Sequence, residues 1–128
     1  MTMKNLKSAV IRQLGGQQAF AECFEDVCNH GAGAGFHGFI YSADTRAFYA
    51  SNQAAIVALV EDMASDLGEE PMRLVQGFRC LGEDYTLGEI GRTLYGPKKN
   101  HAPEIANALA WFALEEVCRA EMDEREAA

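Results

Sequence analysis

The chain has 128 residues, 48% of them hydrophobic and 23% charged, with a formal net charge of −8 at pH 7. That length and composition support one domain with a substantial core and exclude wholesale disorder. The acidic balance argues against a direct nucleic-acid partner or an anionic membrane, because phosphate binding needs clustered Lys and Arg.

The first element is a short helix in which Met3, Leu6, Val10 and Leu14 recur at helical spacing, stopped by Gly15-Gly16. A second helix carries Phe20, Cys23, Phe24, Val27 and Cys28 on one stripe opposite Glu22, Glu25 and Asp26, and Asn29-His30-Gly31 closes it. The two should form an antiparallel hairpin.

Residues 31–38 are the least helical stretch. Gly33-Ala-Gly-Phe-His-Gly38 matches G-x-G-x-x-G by letter, but a dinucleotide site needs a strand before it and a helix opening within it. A helix precedes these glycines and the extended segment Phe39-Ile-Tyr41 follows, so the stretch reads as a permissive turn. Ser42, with Asp44 as competitor, caps a short helix through Phe48-Tyr49.

After a second cap at Ser51-Asn52, Ile56, Leu59, Val60, Met63 and Leu67 form the strongest amphipathic stripe, ending at Gly68. Its opposite face is acidic. Pro71 opens a further helix with Met72, Val75 and Phe78 inward, ending near Cys80 to Gly82. Thr86-Leu-Gly-Glu89 has the spacing of a capping box, with Leu87, Ile90 and Leu94 facing the core, and Gly88 and Gly91 suggest close packing there. Gly96-Pro-Lys-Lys-Asn100 is a solvated loop.

The last helix, Pro103 to Glu121, is apolar on nearly every side from Ile105 to Leu114, which predicts that it is buried and that the domain wraps around it. Asn107 should then be hydrogen-bonded within the core, and Trp111→Ala should cost about 3–5 kcal/mol. The acidic segment 121–128, at the negative end of the helix dipole, should fray. Altogether the sequence predicts a single all-α domain over residues 1–128, a compact bundle of six or seven helices around a buried C-terminal helix, with one irregular Gly/aromatic segment.

No apolar run approaches the roughly 20 residues that span a bilayer, and the opening Met-Thr-Met-Lys-Asn-Leu-Lys lacks the apolar region of a signal peptide, which indicates the cytoplasm. Cys23, Cys28, Cys80 and Cys118 are then expected as reduced, small buried hydrophobes. For a metal, the nearest grouping is Cys23, Cys28, His30 and His37. It fits no standard zinc spacing, since five residues on a helix turn side chains about 140° apart. Cys80 with a His, or Ser42 with Asp44 and His37, can be combined on paper, but a triad is defined by geometry that spacing does not supply. Glu115-Glu116 point about 100° apart and would not share a site. No catalytic residue, cofactor or metal is therefore assigned.

Two features remain. Residues 61–70 carry Glu61, Asp62, Asp66, Glu69 and Glu70 with no base, and residues 115–128 carry six acids against Arg119 and Arg125. The aromatics Phe36, Phe39, Tyr41, Phe48 and Tyr49 cluster beside the glycines; most should pad the core, while one or two, with Phe36, Tyr41 and Tyr49 as candidates, could anchor a partner.

Through Asn29-His-Gly-Ala-Gly-Ala-Gly-Phe-His-Gly-Phe-Ile-Tyr-Ser-Ala-Asp-Thr45, Gly77-Phe-Arg-Cys-Leu81 and Asn107-Ala-Leu-Ala-Trp-Phe-Ala-Leu-Glu-Glu-Val117, the chain resembles a family of small uncharacterised phage and mobile-element proteins over nearly its whole length. The resemblance transfers no site residue. It implies a context in which small acidic cytoplasmic proteins counter host defence, CRISPR systems included. The expected function is a non-enzymatic, anti-CRISPR-like inhibitor that binds a host defence protein or protein–nucleic-acid complex through the acidic residues 61–70. The alternative is a helical adaptor or assembly protein using the aromatic segment 36–49. A homodimer sharing the acidic face remains open.

Overall fold

A computed structural model describes residues 2–31, 44–78, 81, 85–97 and 102–127. They form six α-helices: α1 Thr2–Leu14, α2 Gln17–His30, α3 Asp44–Leu67, α4 Pro71–Gln76, α5 Leu87–Tyr95 and α6 Pro103–Ala127. Among the described residues there is no strand. The fold is all-α, as the periodicity predicts.

Helix α6 supplies Ile105, Ala106, Ala108, Leu109, Ala110, Phe112, Ala113, Leu114, Val117 and Cys118 to the core. Its alanines leave room for close neighbours, and it packs against α1, α3 and α5. Its most extensive partner is α3, which also holds α1 and α4, so the bundle has a central pair rather than a single axis. Two local expectations for α6 change. Asn107 is half-buried, so its amide does not have to find a partner in the core. Trp111 is also half-buried and its indole N–H donates to the exposed Glu115, while the next residue, Phe112, is buried and stacks on Phe78 with ring centroids 5.0 Å apart.

The end of α6 is helical through Ala127, where the charge pattern predicts fraying. Two contacts hold it. Lys7 of α1 donates to Glu121 at 2.8 Å and lies 3.5 Å from Glu124, and the Arg125 guanidinium sits over the Phe24 ring of α2, 4.5 Å from its centroid.

The local signals act where the sequence puts them. Gly15 and Gly16, at φ +106° and +125°, join α1 to α2 in a turn that side chains bearing a Cβ rarely adopt. Pro71 occupies the start of α4. At α5, Glu89 N–H donates to Thr86 Oγ1 at 3.1 Å while the Glu89 carboxylate accepts from the Thr86 backbone, completing the capping box. Gly91 faces α4 so closely that a Cβ there would lie 3.1 Å from Met72 Sδ, whereas Gly88 is exposed and meets only ordinary contacts.

The expected break at Asn52 is present as a kink. Its backbone leaves helical geometry at φ −122°, ψ 19°, where two helical segments of α3 meet, and its side-chain amide donates to Phe48 O of the preceding turn at 2.9 Å. The Ser42 cap, the G-x-G-x-x-G segment, His37, Cys80 and His101 lie outside the described residues.

Candidate functional site

The acidic face is built by the second half of α3. Ile56, Val57, Val60 and Ala64 point into the core, so the helical period turns Glu61, Asp62, Ser65 and Asp66 to solvent. The helix then ends at Gly68, which takes φ +67°, and Glu69 N–H returns to Ala64 O at 2.8 Å. That turn leaves Glu69 and Glu70 exposed beside the helix they follow. Glu70 precedes Pro71 as the capping residue of α4, and its carboxylate lies 4.0 Å from Arg73 Nε.

This face differs from the other large acidic stretch in its degree of neutralisation, since only Glu115, Asp123 and Glu126 of α6 are exposed and outside any described ion pair. On α6, Glu116 pairs with Arg119 at 2.9 Å, Glu121 with Lys7 and with Arg125 at 3.7 Å, and Glu124 with Lys7. Among the described residues, Glu61, Asp62, Asp66 and Glu69 have no ion-pair partner. Three acids on α2, Glu22, Glu25 and Asp26, are likewise exposed and outside any described ion pair, but they form a smaller group. Four carboxylates held within ten residues on one helix and its turn give a local field that favours a cationic surface.

Sequence reasoning missed two apolar groups. Tyr95, the last residue of α5, is 54% exposed, and its hydroxyl donates to Glu61 Oε2 at 3.1 Å. Its phenol is held above its ordinary pKa, by partial burial first and by the Glu61 carboxylate second. The signal was readable, because Tyr95 follows the inward Leu94 and so lies about 100° round the helix from it. Leu67 was read as the inward end of the α3 stripe but is 63% exposed, since the helix passes beyond the core before it stops.

Of the aromatic candidates, Tyr49 is not a surface anchor. It is fully buried, and its hydroxyl donates to Thr93 O at 3.0 Å. Burial drives its phenol well above the ordinary range, so it stays protonated as a structural donor. Phe48 is buried as well, and Phe36 and Tyr41 lie outside the described residues.

The described cysteines are not equivalent, contrary to the expectation that all are buried. Cys118 is buried, Cys23 is half-buried and Cys28, in the last turn of α2, is exposed. Burial pushes the Cys118 thiol up to about 12, and burial followed by Asp26 and Glu22 raises that of Cys23. A raised thiol is a poor nucleophile and a poor metal ligand at neutral pH. Among the described residues no three His, Cys, Asp or Glu side chains converge as a metal site would require, and no helix is long and apolar enough to cross a membrane.

The chain matches, over residues 3–127, the family model described as a domain of unknown function, DUF7222, and it belongs to that family. No curated protein and no solved structure matches it.

Proposed function

We propose that this DUF7222 protein is a non-catalytic, phage-encoded inhibitor that binds a host defence protein or protein–nucleic-acid complex through the acidic face of α3. The observation that carries the reading is the set Glu61, Asp62, Asp66 and Glu69, exposed and without ion-pair partners among the described residues, on a helix packed against α6 and the turn that follows it. A groove built for nucleic acid is lined with Lys and Arg, and it attracts fixed carboxylates by the same electrostatics that attract phosphate. Glu70 flanks the face and is partly committed to Arg73. The resemblance to phage and mobile-element proteins supplies the context of host defence.

The test is expression of the chain in cells that restrict an infecting phage or plasmid through CRISPR. Relief of restriction is expected, with weaker relief from a variant carrying Glu61→Lys, Asp62→Lys and Asp66→Lys. Restriction that persists unchanged across the common system types defeats the inhibitor reading for those systems. The adaptor reading through residues 36–49 loses support from the burial of Phe48 and Tyr49.

A further inference from the structure

The chain contains its own example of how it holds a guanidinium. Arg125 lies over the Phe24 ring at 4.5 Å from the centroid, and its Nε is 3.7 Å from a Glu121 carboxylate oxygen, so ring face and carboxylate act on one side chain together. The same two chemical groups meet on the surface at Tyr95 and Glu61. There the ring is 54% exposed, and the 3.1 Å hydrogen bond from the phenol to Glu61 Oε2 fixes ring and carboxylate relative to each other. Among the described residues no cation lies over the Tyr95 ring, and none pairs with Glu61. Arg92, one turn earlier on α5, is exposed and makes neither contact.

We propose that Tyr95 and Glu61 form a receptor for an arginine side chain of the partner. This rests on the reading that the α3 face is the contact surface, and it narrows the partner to one that presents arginine at that point. A planar guanidinium can lie on a ring face while its N–H groups reach a carboxylate at the ring's edge; a compact, strongly hydrated ammonium cannot do both at once. The Glu61 hydrogen bond orders the ring beforehand, so little rotamer freedom remains to be lost on binding. Asp62 and Asp66, on the same exposed side of α3, add field without selecting between the two cations.

Fluorescence anisotropy of labelled octa-arginine and octa-lysine against the intact chain, at an ionic strength of about 0.15 M, separates these contributions. The wild type should prefer octa-arginine by about two- to five-fold, the range expected of one exposed cation–π contact. Tyr95→Leu should remove that preference by weakening octa-arginine more than octa-lysine, and Asp66→Asn should weaken both peptides in proportion. Circular dichroism checks that each variant is folded. Equal binding of both peptides by the wild type, or a preference that survives in Tyr95→Leu, overturns the arginine receptor while the acidic face stands. Binding of neither peptide overturns both.

Discussion

Replacing Gln53 by Leu should destabilise the domain by about 2–3 kcal/mol, although the two side chains are similar in size. Gln53 is 93% buried on α3, and its side-chain amide donates to Leu94 O at 2.9 Å, Thr93 O at 3.2 Å and Gly96 O at 3.4 Å. These are carbonyls at the C-terminus of α5, where the last turn of a helix lacks intrahelical donors. In the variant Thr93 O keeps the Tyr49 hydroxyl, but Leu94 O loses its close side-chain donor. An unsatisfied buried acceptor costs about 1–3 kcal/mol and a weakened second bond about 0.5–1.5, against a modest gain from the apolar replacement. For a domain of this length the entropy of unfolding is about 0.27 kcal/mol/K, so the melting temperature should fall by about 7–11 °C. Thermal melts followed by far-ultraviolet circular dichroism measure it, with Gln18→Leu, an exposed amide on α2, as a control expected to change little. A fall under about 4 °C for Gln53→Leu would refute the claim that this amide caps α5.

Phe112→Ala should cost about 3–5 kcal/mol and Trp111→Ala only about 1–2, because Phe112 is buried on Phe78 while Trp111 is half-exposed with its N–H on a surface carboxylate. Urea denaturation gives both values, and the reverse order would contradict the assignment of faces on α6. Alkylation of the native protein should modify Cys28 first and Cys118 only after unfolding, since Cys118 is buried with its thiol near 12; mass spectrometry locates the label. The hydrogen bond to Glu121 holds Lys7 above its ordinary 10.5, which its partial burial opposes. Its folded pKa exceeds the unfolded one, so its contribution is complete below 10.5 and is lost as pH rises through the folded value. Lys7→Met should therefore cost no more than about 1 kcal/mol near neutrality, and wild type and variant should converge in strongly alkaline solution. A gap that persists there would place the effect in packing.

The helices were legible because their signals are local. Thr86 and Glu89 sit three residues apart, Pro71 opens α4, Gly15-Gly16 ends α1, and the stripes of α1 and α3 keep the 3.6 period. What sequence hid depends on partners far along the chain. Asn52 marks the break between two helical segments as the sequence suggests, yet its amide donates back to Phe48 O of the preceding turn rather than capping the helix that follows. Tyr49 carries a hydroxyl that suits an interface, yet a carbonyl 44 residues away satisfies it in the core. In sequence the acids of 115–128 already have Arg119 and Arg125 among them, whereas those of 61–70 have no base. Only the fold brings Lys7 to Glu121 and leaves Glu61, Asp62 and Asp66 outside any described ion pair. Tyr95 drew no reading in the sequence, and its place beside Glu61 depends on α3, 34 residues earlier.

The most direct measurement compares two triple charge reversals in the CRISPR restriction assay. One carries Lys at Glu61, Asp62 and Asp66; the other carries Lys at Glu22, Glu25 and Asp26, exposed acids on α2 that undergo the same change in net charge. Loss of relief with the α3 variant and retention with the α2 variant is the predicted result. Equal loss in both would reduce the effect to net charge, and loss confined to the α2 variant would place the contact surface elsewhere.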